Sequence, residues 1–212
     1  MHFDVVIVGA GHGGAQVAVM LVEQVYRLER GQICLIHAVA GGVGRLLAAW
    51  ANHIEARVVG TAGARGVPSE IAALCEKIYN YAEPDWAVRL AADYGGRIDY
   101  VCDSVGATTF DASLDVAASC AHIALFGQSS GKVAPIVVDR LAARSLTITR
   151  PILFDYLAVA ERRRMLMRNF ATMVDSGALA FPDPICLSLE RAGEAQAMLE
   201  ERRADVPVAL RI

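Results

Sequence analysis

The chain has 212 residues, is 55% apolar and 20% charged, and carries a net charge of −3 with a pI near 5.9. This composition excludes an intrinsically disordered chain and supplies enough apolar surface for a sizeable core, while the acidic balance gives no general reason to expect nucleic acid as a partner. No apolar run is long enough to span a bilayer, the first residues lack the pattern of a signal peptide, and the five cysteines (Cys34, Cys75, Cys102, Cys120 and Cys186) form no C-x-x-C pair; a cytoplasmic protein with no disulfide framework and no zinc site is expected.

The chain opens with Phe3-Asp4-Val5-Val6-Ile7-Val8, which reads as a strand, followed by Gly9-Ala10-Gly11-His12-Gly13-Gly14 and a helical stretch over 15–24. This opening resembles that of flavin-dependent pyridine-nucleotide or ferredoxin reductases, which bind FAD at such a turn. In that fold the next strand ends in an acidic residue that holds ribose hydroxyls, whereas here it is followed by His37-Ala38-Val39. Residues 1–24 are expected to be either a vestigial cradle or an added edge strand.

The stretch from Gly31 to Gly44 organises the remainder. The short apolar run Ile33 to Ile36 suits a buried strand, the glycine turn ends in Gly41-Gly42-Val43-Gly44, and a helix is predicted from Arg45 to His53. Strand, glycine turn and helix describe a nucleotide-phosphate cradle. Gly41 and Gly42 let the backbone approach a pyrophosphate, Gly44 lets the helix pack on the strand, and the free N–H groups of the helix start face the anion. Val39 occupies the place of the usual first glycine, so an ordinary turn after a buried strand is the competing reading.

A second strand is predicted over 56–61, and no Asp or Glu stands at its end. Thr61-Ala62-Gly63-Ala64-Arg65 offers a small residue, a glycine and a guanidinium instead, a pattern that points to NADP over NAD; Arg65 reads equally well as a solvated loop residue. Further along, helices are predicted over 69–76, 84–94 and 110–120, and strands over 77–81, 98–106, 122–127 and 145–149. Strands alternating with helices of this length imply a doubly wound parallel sheet with right-handed crossovers. After Pro151, two helices (about 158–174 and 191–203) and short strands around 178–187 complete a C-terminal α+β segment.

Ile36-His37-Ala38-Val39-Ala40-Gly41-Gly42-Val43-Gly44, Asp103-Ser104-Val105-Gly106, Phe126-Gly127-Gln128-Ser129-Ser130-Gly131 and Thr149-Arg150-Pro151 are together similar to the zeta-crystallin-like, zinc-free quinone oxidoreductases of the medium-chain dehydrogenase/reductase family. The resemblance runs from about Val25 to Arg203. It implies a Rossmann NADP-binding domain over 25–151, a C-terminal segment over 152–212, and hydride transfer from NADPH to a quinone or enone without metal. It also implies site roles. Gly41, Gly42 and Val43 would hold the pyrophosphate, and Gly63 and Tyr81 would lie beside the 2′-phosphate, with Arg65 the nearest substitute for the family's lysine. Ser104 and Val105 would line the adenine side, Phe126, Gly127, Gln128 and Thr149 would border the nicotinamide, and Arg202 would contact the cofactor from the last helix. Two departures stand out. The closing strand Asp205 to Leu210 lacks the family's Gly-Lys, and the family's leading GroES-like substrate domain is missing, so a truncated or fused form is expected. A non-catalytic NADP-binding module and an FAD-binding fragment are the alternatives. The strand over 145–149 is the expected edge of a homodimer.

Overall fold

The strand Ile33–Ile36 is buried at all four positions, and its side chains divide by parity: Cys34 and Ile36 enter one apolar core, Ile33 and Leu35 the other. Alternate residues of a strand point to opposite faces, so a strand with two buried faces requires helices on both sides, the arrangement of a parallel sheet. The computed structural model describes residues 5–8, 12–179, 183–201, 203–204, 206 and 208–211. The chain begins with β1 (Val5–Val8), α1 (His12–Met20), a π-turn (Leu21–Val25), β2 (Ile33–Ile36), α2 (Gly42–His53) and β3 (Arg57–Ala62). It continues through α3 (Ser69–Ala72), β4 (Lys77–Asn80), α4 (Trp86–Tyr94), β5 (Ile98–Asp103), α5 (Phe110–Val116) and β6 (Ala117–Leu125). Then follow α6 (Asp139–Ala142), β7 (Thr147–Thr149), α7 (Leu153–Leu157), α8 (Ala160–Asp175), β8 (Ile185–Ser188), α9 (Ala192–Glu200) and β9 (Val208–Arg211).

The main sheet has the order β4-β3-β2-β5-β6-β7, parallel throughout. This is the doubly wound order, with its reversal between β2 and β5. Leu47, Ala48 and Trp50 of α2, Val19 and Met20 of α1, and Leu166 and Met173 of α8 cover one face. Trp86, Leu90 and Tyr94 of α4 with Phe110 and Leu114 of α5 cover the other.

The opening strand does not head this sheet. β1 pairs antiparallel with β9, which pairs parallel with β8, making a separate three-stranded sheet in the order β1-β9-β8. A flavin-type cradle needs its strand parallel to the next one in the same βαβ unit; β1 never meets β2, so the flavoprotein reading of the opening is corrected to that of an added edge strand. Residues 9–11 of its glycine turn lie outside the described residues. α1 instead packs as a helix of the main layer, against α2 and α8. It runs into the π-turn, where the carbonyl of Leu21 accepts from the Tyr26 amide at 3.3 Å and from the Tyr100 hydroxyl at 2.8 Å. Tyr26 then stacks on Tyr100, with ring centroids 4.7 Å apart.

Several expectations are adjusted. The helix predicted over 69–76 is a single turn, Ser69–Ala72. The amides of Leu74 and Cys75 close tighter i→i−3 bonds, and the Glu76 amide is drawn onto the carbonyl of Val58 at 2.7 Å. The helix predicted over 110–120 ends at Val116 because Ala117 is already extended and pairs with Ile98. The fifth strand therefore starts early, as β6, and crosses a bulge before Tyr100 meets His122; Cys120, with φ +63, lies within it. The sixth strand is Thr147–Thr149, since Ser145 takes φ +53. Of the short strands predicted around 178–187, Ile185–Ser188 is the one present among the described residues.

Candidate functional site: a crevice at the strand-order reversal

Beyond Ile36 the ladders to Gly60 on one side and Cys102 on the other come to an end, and the chain ends of β2, β3 and β5 frame a crevice. Open α/β sheets bind ligands in this position. The turn after β2 is closed by few bonds: His37 N to Cys102 O at 3.0 Å, Val39 N to Thr61 O at 2.9 Å and Gly41 N to Ala38 O at 2.9 Å. Ala38 takes φ +55. Arg45 N to Gly41 O, 2.9 Å, is the first helical bond of α2, so the amides of Gly42, Val43 and Gly44 begin the helix without partners from a preceding turn. Gly41 and Gly42 are exposed and Val43 is half-buried.

Each small residue here has a geometric reason. A Cβ at Gly44 would lie 2.4 Å from Ala38 O and 2.8 Å from Val39 Cα, so only glycine lets α2 sit on the turn. A Cβ at Gly60 would fall 2.8 Å from Val39 Cγ1; the fully buried Val39, in place of the expected first glycine, is accommodated by a glycine on the next strand. Gly127 meets Ser104 in the same way, with Ser104 O 2.4 Å from a would-be Cβ. The loops after β5 and β6 are thus clasped together, and Phe126 N and Gly127 N both donate to Asp103 O, at 2.8 and 3.2 Å.

Apart from Arg202, the predicted site residues lie on the turn after β2, the loops after β3, β4, β5 and β6, and the end of β7. Gly63 faces the Tyr81 ring, whose hydroxyl lies 3.3 Å from a would-be Cβ, and a cleft of about 330 Å³ lined by Gly63, Ala64, Gly66, Val67, Asn80 and Arg89 opens beside them. Arg65 is exposed on the same loop. Ser104 donates to His37 O at 3.4 Å, and Val105 is buried. Phe126 lines a second cleft of about 190 Å³ with Val17, Met20, Arg150 and Pro151, at the opposite end of the strand order, and Gln128 is half-buried on the adjoining loop. Thr149 bonds through its hydroxyl to His122 Nε2 at 2.7 Å, across to β6. Arg202 lies outside the described residues. Among the described residues no three His, Cys, Asp or Glu side chains gather as a metal site.

Sequence reasoning missed a buried polar chain beneath the crevice. His37, Thr61, Asp103, Thr109 and Ser113 are all buried. Ser113 Oγ donates to Thr109 O at 3.0 Å, which uses its one proton, so its 2.9 Å contact with His37 Nε2 is a donation from the ring. His37 Nδ1 then accepts from Thr61 Oγ1, 2.9 Å away, and the imidazole is the neutral Nε2–H tautomer. Thr109 Oγ1 reaches both Asp103 carboxylate oxygens at 2.9 Å. Asp103 Oδ1 also accepts the amides of Val105 and Gly106, at 2.8 and 2.9 Å. Burial holds His37 below its ordinary value, partly offset by the Asp103 carboxylate. The available signal was a histidine just past one apolar strand and a threonine near the end of the next.

A family model described as zinc-binding dehydrogenase matches residues 42–171. The 2-haloacrylate reductase of a Burkholderia species is 37% identical over 142 residues, which cover 65% of this chain and 43% of the relative. A mycobacterial quinone oxidoreductase structure superposes with a TM-score of 0.83 at 33% identity, covering 94% of this chain and 62% of that one. The Escherichia coli quinone oxidoreductase complexed with NADPH gives a TM-score of 0.79 at 27% identity, covering 96% and 64%. The chain spans about half the length of the curated relatives it matches.

Two outcomes follow from this geometry. Gly44→Ala drives a methyl into backbone that has no side chain to move, and should cost about 1–3 kcal/mol, read from the denaturant midpoint. For His37, the unfolded chain takes up a proton near the ordinary value of 6.5 while the folded chain resists it. Its contribution to stability is therefore full above about pH 6.5 and is lost as pH falls through the window below it. His122, also lowered by burial, acts with the same sign. Urea midpoints measured across this window should fall in the parent and fall less in His37→Gln; identical slopes would remove His37 from the account.

Proposed function

The chain belongs to the zinc-binding dehydrogenase family, and from that premise we propose that it is the NADPH-binding part of an oxidoreductase that passes hydride to a quinone or related enone. The observation that carries this reading is the turn from His37 to Gly44, whose open amides start α2 at the strand-order reversal. Donors at a helix start, with the positive end of its dipole behind them, suit a pyrophosphate. Gly41, Gly42 and Val43 are the residues assigned to it. On one side, Gly63, Tyr81 and Arg65 receive the adenosine 2′-phosphate; no carboxylate stands at the end of β3 to favour a free 2′-hydroxyl. Ser104 and Val105 line the adenine side. On the other, Phe126, Gly127, Gln128 and Thr149 border the nicotinamide, and the apolar second cleft suits a flat acceptor. Arg202 is assigned to the cofactor from sequence alone. Bound NADPH supplies the hydride; the protein orients it and excludes water. No metal is assigned a role.

A second reading is favoured by one observation. Beside the second cleft, Ile152, Phe154 and Val159 stand 48%, 79% and 53% exposed, an apolar surface that fits a cofactor-binding module whose acceptor site is completed by another segment or chain. Steady oxidation of NADPH on adding a benzoquinone supports the enzyme. Binding without turnover supports the module, and absence of both defeats the dinucleotide assignment.

The protein is further read as a homodimer joined along β7, which is an edge strand of the main sheet, and as cytoplasmic, in keeping with its unpaired thiols. No described helix is long and apolar enough to cross a membrane. Sedimentation should give a dimer that a proline at Ile148 dissociates; a parent that is monomeric at high concentration would rule the edge out. Arg65→Ala should weaken NADPH binding by about tenfold and leave NADH nearly unchanged, since charge-assisted bonds to a phosphate are worth roughly 1.5–3 kcal/mol. Parallel titrations of both cofactors check this, and equal losses would make Arg65 structural.

A further inference from the structure

The two ladders that hold β2 stop at Ile36, opposite Gly60 and Cys102. Past that point two backbone bonds remain between the turn and its neighbours, His37 N to Cys102 O and Val39 N to Thr61 O, and side-chain bonds supply the other ties between the crevice walls. The His37 imidazole sits where the ladders end. On its Nδ1 side, Thr61 Oγ1 donates to the ring at 2.9 Å and accepts from the Ala38 amide at 3.4 Å, so the end of β3 and the phosphate turn share one hydroxyl. On its Nε2 side, Ser113 passes the connection to Thr109 O, and Thr109 passes it to Asp103. Asp103 fixes the amides of Val105 and Gly106. The Trp86 indole packs against the ring in a T-shaped pair, with centroids 6.1 Å apart at 87°.

The chain of bonds therefore touches the phosphate turn, the β3 loop and the β5 loop, and enters the groove at none of them. We propose that His37, as the Nε2–H tautomer, is a positioning residue: it holds these three groove walls in one relative placement before a dinucleotide arrives. A neutral imidazole suits this task because it donates at one nitrogen and accepts at the other. A ring that donates at both would reverse the bond to Thr61 Oγ1 and leave the Thr61 hydroxyl proton to find another acceptor. Preorganising a site in this way raises affinity by removing the ordering cost from the binding step. The inference rests on the dinucleotide reading above.

Thr61 gives the cleanest test, because Thr61→Val removes the hydroxyl at nearly constant shape while Thr61→Ser keeps it. NADPH titrated into the parent and both variants should show affinity about tenfold lower for Thr61→Val and within about twofold of the parent for Thr61→Ser. Equal NADPH affinity in all three, with only the melting midpoint lowered in the valine variant, would overturn the proposal and leave the dinucleotide reading standing. A parent that binds no NADPH would overturn both. Nitrogen-15 spectra of the parent's histidines give a readout independent of any variant's folding. His37 should be the neutral Nε2–H tautomer near neutral pH without cofactor and stay unchanged on saturation with NADPH. An Nδ1–H tautomer, or a ring that reorganises on binding, would overturn it.

Discussion

The structure depends on one four-residue strand that is buried on both faces. Ile33 and Leu35 commit to one core, Cys34 and Ile36 to the other, and neither half can be exposed without giving up the burial of several large side chains, each worth roughly 1.5–3 kcal/mol. Helices on both sides follow, then parallel neighbours, then a reversal of strand order beside β2. The crevice exists because chain leaving this strand must turn outward between neighbours that diverge.

Close backbone approaches then convert the crevice into something specific. At Gly44 and Gly127 the absence of a Cβ allows helix on turn and loop on loop, and at Gly60 it gives room to Val39. These contacts are steric and directional, so they fix positions more sharply than apolar burial, which is tolerant of small shifts. The polar chain through His37 adds side-chain hydrogen bonds where the regular ladders have ended and only two backbone bonds remain. Packing, close approach and buried polarity thus act at successive distances along the same few residues.

Much of this was legible in the sequence because it is local. The apolar run at Ile33, the glycines at 41, 42 and 44, and the alternation of elements through Thr149 each depend on neighbours a few residues away. What was not legible depends on partners. The opening G-x-G-x-x-G has the local form of a nucleotide cradle, but only the pairing of Val5–Val8 with Val208–Arg211 reveals which sheet its strand joins. The early end of α5 follows from Ile98 claiming Ala117. His37, Thr61 and Ser113 form one unit from three distant stretches, and nothing in any of them alone announces the other two.

The antiparallel pair of β1 and β9 also has a meaning in time. Val5 faces Arg211, so the first described strand has no partner until about 200 further residues have been made. At ribosomal rates of about 5–20 residues per second it stays unpaired for roughly 10–40 s, whereas β2 and β3 can meet within a few seconds of each other. The apolar Val5-Val6-Ile7-Val8 edge is therefore exposed longest during synthesis, and a growing chain has most need of a chaperone's cover there.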